Sequence, residues 1–140
     1  MNSLFIKGNV PSSKNSKIKG RFFSKTVQKY LRSYGIKSFS ARRKVVEGYK
    51  TIPMTFPKGE LKEMFKDVKY PTEIYFRFVR GTRHKCDFHN MTQILFDLFT
   101  AFDIIPDDDM DHVVARCIKK DNTFYDYDKE NPGVYIKLKE

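Results

Sequence analysis

The run Thr72–Arg80 (TEIYFRFVR) sets Ile74, Phe76 and Phe78 on one side of an extended chain and Tyr75, Arg77 and Val79 on the other. Shortly after it, Asn90–Phe102 carries Met91, Ile94, Leu95, Leu98 and Phe102 at i, i+3, i+4, i+7 and i+11, a single apolar helical stripe. A half-apolar strand followed by a helix with one apolar stripe is the pattern of a layered domain of strands and helices.

Weaker signals extend this order in both directions. Leu4-Phe5-Ile6 stops at Gly8-Asn9 and reads as a first strand, followed by a turn-rich loop, Pro11–Lys17. Ser24 is placed to cap a helix through Thr26–Ser33, where Val27, Tyr30 and Leu31 recur at helical spacing and Gly35 supplies the stop. Residues 37–59 show no clean period, and the region out to residue 70 reads as a basic arm with a short helix at Lys58–Lys66. Val113–Lys119 and Gly133–Leu138 read as two closing strands, joined by a polar loop (KDNTFYDYDKENP) whose length suits a hairpin. The expected order is β-α-(arm)-β-α-β-β, an α+β fold, with residues 1–140 forming one domain because 140 residues leave little room for two.

Charge narrows the partners. The chain is +10 overall, but unevenly so: residues 1–85 hold 21 Lys and Arg against 5 Asp and Glu, whereas residues 86–140 hold 6 against 12. A polyanion-attracting half and an acid-rich half point to two chemistries in one domain. A ribosomal-type binder fits the basic half and has no need of the acidic one. Without a run near the roughly 18 apolar residues of a membrane span, with an N-terminal apolar stretch too short for a secretory signal, and with only Cys86 and Cys117, the chain reads as reduced and cytoplasmic. Both cysteines read as small apolar groups rather than catalytic thiols.

The acid-rich chemistry concentrates between Arg83 and Asp111 (RHKCDFHNMTQILFDLFTAFDIIPDDDMD). Asp87 and His89, two apart in a stretch read as extended, point to one face. Asp107-Asp108-Asp109 and Asp111 follow after a helix that can return the chain to the same end. Oxygen ligands converging in this way suit Mg²⁺ or Mn²⁺. The competing reading is a solvated turn, because Asp readily forms Asx-turns, and His89 equally reads as a cap or surface residue. Positions 89, 93 and 97 line one flank of the stripe, where they edge a cleft or form the wet side of the helix.

Three blocks here resemble the RusA family of Holliday junction resolvases. GNVPSSKNSK is similar to the family's Gly-x-Pro-x-x-x-Asn start. Asp87-Phe88-His89-Asn90, with Asp97-Leu98-Phe99, is similar to its Asp-x-Asp-Asn segment and following Asp-x-Leu helix. Asp103-Ile104-Ile105-Pro106-Asp107-Asp108 is similar to its isoleucine-rich turn into paired aspartates. The resemblance leaves residues 37–70 uncovered. It implies an α+β homodimer whose acidic sites bind Mg²⁺ and cut phosphodiester bonds near a four-way junction. The family's first carboxylate falls on Asp87 and its turn carboxylates on Asp107 and Asp108. Its second motif aspartate is His89 here, which still suits Mn²⁺, and its catalytic lysine is Gln93, whose lost charge Lys85 or Lys14 can replace from another element.

The leading expectation is a metal-dependent, structure-selective endonuclease acting on branched DNA as a homodimer. Asp87, His89 and Asp108 would be catalytic; Asp87, His89, Asp107 and Asp108 would hold Mg²⁺ or Mn²⁺. Lys14, Lys17, Lys19, Arg21, Arg42, Arg43, Lys44 and Lys85 would bind phosphates, which fix position and affinity rather than sequence. The alternative is a non-catalytic branched-DNA-binding protein with a degenerate site, favoured by His89 and Gln93. A third reading is an RNA-associated basic protein using Tyr30, Tyr34 and Phe22-Phe23 as stacking groups.

Overall fold

The computed structural model describes residues 3–12, 17–18, 22–23, 25–39, 45–47 and 55–139. Strand β1 (Ser3–Lys7) is followed by two short strands, β2 (Lys17–Ile18) and β3 (Phe22–Phe23), and by helix α1 (Lys25–Ser33). A small hairpin, β4 (Ile36–Phe39) and β5 (Val45–Glu47), precedes α2 (Lys58–Phe65). The remainder runs β6 (Thr72–Arg80), α3 (Phe88–Ala101), β7 (Val113–Cys117), β8 (Tyr125–Tyr127) and β9 (Gly133–Leu138). Gly35, at φ 74°, ends α1 as the sequence requires. The expected cap Ser24 lies outside the described residues, as do residues 40–44 and 48–54 of the arm.

The main sheet has the order β1-β9-β6-β7, with β8 also paired to β6. This corrects the expected hairpin, because the strands at 113 and 133 do not pair with each other. The α3 crossover returns the chain to the start of β6, so β7 adds parallel along residues 72–76. Within the polar loop β8 adds parallel along 78–80. The chain then reverses, and β9 inserts antiparallel between β1 and β6. A tight turn does form inside the polar loop. Lys120 and Thr123 exchange both backbone hydrogen bonds at 2.9 Å around Asp121 and Asn122, at φ 51° and 62°, the signature of a type I′ turn.

The sheet packs its helices through the even residues of β6. Ile74, Phe76 and Phe78 are buried, and Phe76 meets Phe96 of α3 at 5.6 Å between ring centroids. Phe65 of α2 reaches Phe99 at 6.0 Å, and Phe56 stacks on Phe102 at 4.9 Å. The result is one small domain of mixed helix and strand. Tyr30 and Tyr34, offered above as nucleic-acid stacking groups, are core residues instead, 5% and 4% exposed and edge-to-face at 5.2 Å. Burial accordingly pushes the Tyr34 hydroxyl up to about 12. The side chains of Phe22 and Phe23 lie outside the described residues. On β9, Gly133 is required by its neighbour: a Cβ there would lie 2.4 Å from both the Phe5 ring and the Ile6 carbonyl.

The end of α3 aims the acidic turn. Asp103 takes the left-handed conformation, φ 59°. Its N–H donates to the Thr100 carbonyl at 3.1 Å, and the Ile104 N–H to the Phe99 carbonyl at 2.8 Å. This is a Schellman stop with Ile104 and Phe99 both in the core. Asp is a costly choice there, because a Cβ disfavours positive φ and a carboxylate opposes the helix dipole. Asp103→Gly is therefore expected to raise stability by about 1 kcal/mol in a denaturant melt; a lower midpoint would contradict this account of the turn.

Candidate active site

Helix α3 starts at Phe88, two residues before the apolar stripe suggests, because Asp87 caps it. The Asp87 backbone is extended (φ −117°, ψ 115°), and its carboxylate Oδ1 accepts from the backbone N–H of His89 at 2.9 Å and of Asn90 at 3.3 Å. This corrects the expectation that Asp87 and His89 share one face of an extended stretch. His89 is a first-turn helical residue with an exposed side chain, so alternation does not apply to the pair. Asp87→Ala is expected to cost about 1 kcal/mol through the lost cap, whereas Asp87→Asn, which keeps an accepting oxygen, should cost only a few tenths. Equal melting of both variants with the parent would contradict the cap.

Two turns along α3 a different pair converges. The Gln93 side-chain amide nitrogen donates to Asp97 Oδ1 at 2.9 Å and to Asp108 Oδ2 at 3.0 Å. Asp97 is 6% exposed and Asp108 half-buried. The flank carrying residues 89, 93 and 97 is thus an edge where the acidic turn closes against the helix, and at Asp97 it is not a wet face. Asp97 is absent from the ligand set expected from the sequence, yet its carboxylate is buried and meets Gln93 beside Asp108. The i, i+4 spacing from Gln93 was the available signal.

The remaining aspartates of the turn hold it in shape. Asp107 Oδ1 accepts from the Asp108 N–H at 2.7 Å. Asp109 Oδ1 accepts from the Asp111 N–H at 3.0 Å and meets His112 Nδ1 at 2.7 Å. The Asx-turn reading therefore describes Asp109, whose bond runs two residues on; the Asp107 carboxylate bonds only the next N–H, and Asp108 reaches across to α3.

The loop before α3 joins this region to the start of the chain. Asn90 Nδ2 donates to the Ser12 carbonyl at 3.4 Å, and Ser12 Oγ to the Lys85 carbonyl at 3.4 Å. Arg80, buried at 4%, donates to the Val10 carbonyl and to Met91 Sδ. Residues 10–12 are thereby held over the N-terminal turn of α3. Lys85 is exposed there. Of the other expected phosphate ligands, Lys14, Lys19, Arg21, Arg42, Arg43 and Lys44 lie outside the described residues, and Lys17 is described only as backbone of β2.

Compared with known proteins, the chain matches no family model, no curated protein and no solved structure. Among the described residues no three His, Cys, Asp or Glu side chains stand close enough to hold a metal together. Mg²⁺, however, is usually held by one or two carboxylates and several waters. The donor set fits that description: Asp97 and Asp108 present two carboxylate oxygens to one polar nitrogen between them. Among the described residues no helix is long and apolar enough to cross a membrane.

Proposed function

We propose that this protein is a metal-dependent, structure-selective DNA endonuclease that resolves four-way junctions as a homodimer. The observation that carries the reading is the meeting of Asp97 and Asp108 at Gln93, in a domain whose first 85 residues hold 21 basic side chains against 5 acidic ones. Asp108, with Asp97 behind it, would hold Mg²⁺ or Mn²⁺; Asp87, His89 and Asp107 border the same helix and turn. Bound there, the ion would supply an activated water and charge neutralisation at the scissile phosphate. The chain's own residues do the positioning. Gln93 fixes the rotamers of the two carboxylates, Asp87 anchors the helix end, and the Schellman stop sets the turn that carries Asp108. The basic half, with Lys14, Lys17, Lys19, Arg21, Arg42, Arg43, Lys44 and Lys85, would take phosphates of the branched DNA without reading bases. A two-fold dimer provides the two incisions that junction resolution needs.

One observation favours the second reading, a branched-DNA-binding protein without efficient cleavage. The side chain that meets both carboxylates on α3 is the neutral amide of Gln93, which brings no charge to a phosphate. Both readings require shape-selective binding. Affinity for a synthetic four-way junction should fall with salt at a log–log slope of about −0.9 per phosphate contacted and exceed that for linear duplex of the same length. Equal affinity for the two DNAs across the salt range would refute both.

A further inference from the structure

Among the described residues three of the four exposed aromatic side chains gather at one element that the proposed chemistry does not use; the fourth, Tyr135, stands on β9 opposite Arg77, on the other face of the sheet. Phe124, Tyr125 and Tyr127 are 54%, 51% and 39% exposed. Tyr125 and Tyr127 stand two apart on β8, opposite Phe78 and Arg80 of β6, so both rings leave the sheet on the face that carries α3. Rings left in water forgo burial, yet the element bearing them is firmly built. From the opposite face, Arg77, 5% exposed, donates to the Ile118 and Thr123 carbonyls at 3.0 and 2.9 Å and to the Thr123 hydroxyl at 2.8 Å. It also grips both oxygens of Asp126 at 2.8 Å. Asp126, the carboxylate between the two tyrosines, is thus turned away from them and neutralised.

The surroundings of the tyrosines are cationic. The Arg83 guanidinium lies 3.9 Å from the Tyr127 ring centroid. Arg83, His84 and Lys85 are exposed and lead along the chain to Asp87. Arg80, opposite Tyr127 in the sheet, is buried with its Nε unpartnered, and it takes part in none of the described ion pairs. A guanidinium held there without a carboxylate raises the local potential and draws an anion to the adjoining surface.

We infer that Tyr125 and Tyr127 form a stacking ledge for unpaired nucleobases, with the adjoining phosphates on Arg83 and Lys85, beside the N-terminal end of α3. The inference rests on the nuclease reading and names the part of the substrate that this reading leaves open: an unstacked strand at the branch. Aromatic faces hold bases of any sequence, which suits recognition by shape. Within the arm Asp121, Asp128 and Glu130 are offset by Lys119, Lys120 and Lys129, so the positive charge beside the rings is that of Arg83 and Lys85.

The test is a fluorescence titration of a single-stranded oligodeoxynucleotide carrying 2-aminopurine, in EDTA so that cutting does not enter. The parent should quench the probe on binding. Tyr125→Ala with Tyr127→Ala should weaken binding about tenfold or more and abolish the quench, while Tyr127→Phe keeps both. Tyr125→Leu with Tyr127→Leu, which retains apolar bulk without a stacking face, should behave like the alanine pair and covers the case in which that pair misfolds. Unchanged affinity and quench in the leucine pair would overturn the inference. So would loss of self-association at unchanged DNA affinity, which would make the ledge an interface between copies. Quenching by a protein that cuts no junction would retain the ledge and refute only the nuclease reading.

Discussion

Arg77→Met is expected to destabilise the protein by about 3 kcal/mol, which corresponds to a fall of roughly 10 °C in melting temperature. Arg77 is nearly fully buried, and its guanidinium is the common partner of residues 118, 123 and 126. Methionine fills much of the stem's volume and removes every donor, leaving two inward carbonyls and the Asp126 carboxylate to water. Arg77→Lys should recover only part of the loss, since one ammonium cannot serve a bidentate carboxylate and two carbonyls together. The deficit should also depend on pH. Arg77 holds the Asp126 carboxyl below its ordinary 3.8, chiefly through the hydrogen bonds between them. That contribution is present above the unfolded pKa and is lost as pH falls through the lowered folded value. The gap between parent and Arg77→Met should therefore narrow in strong acid, a trend that thermal melts at a series of pH values will read. Equal stability of the two proteins near neutrality would contradict the assigned role of Arg77.

Asp108→Asn is expected to reduce junction cutting by about a thousandfold while leaving junction binding unchanged or tighter. On the proposed function the substitution removes the charge of one proposed ligand at almost constant volume, and the charge neutralisation a bound ion would supply amounts to several kcal/mol of barrier. Less negative charge then faces the phosphates. Asp97→Asn should lower cutting in the same way. Asp109→Asn should leave the rate within about threefold, because Asp109 serves its own turn through Asp111 and His112. Single-turnover rates on one labelled junction separate these variants. If Asp109 mattered as much as Asp108, the distinction between site and turn would fail.

How far the sequence alone reached depended on periodicity. β6 and β9 were legible to the residue because alternation and flanking turn formers coincide there, and α2 was legible to within one residue at its end. The α3 stripe was legible, but its start was not. Two-residue spacing suggests an extended pair of Asp87 and His89, whereas an Asp directly before an apolar helical run is itself a cap signal. The β4–β5 hairpin was illegible: its strands are short, and Ile36–Phe39 and Val45–Glu47 lack an apolar face of usable length. Strand pairing was misread at the C-terminal end because local length favoured a hairpin, whereas both edges of β6 competed for the same segments. For the candidate site, spacing brought the acidic turn back toward α3 but could not distinguish among its aspartates. Only side-chain direction does so, sending Asp108 to Gln93 and Asp109 to His112. The burial of Arg77 and Asp97 was hidden for a related reason: charged residues at outward or flanking positions read as solvated until a loop folds over them.

The most direct measurement of the central claim is cleavage of a synthetic four-way junction by the purified parent protein in Mg²⁺, in Mn²⁺ and in EDTA, with linear duplex as the control. The expected result is paired, symmetrically placed incisions in the junction with either metal, none in EDTA and none in the duplex. Tight, junction-selective binding with no incision in either metal, at any protein concentration that saturates the DNA, would contradict it.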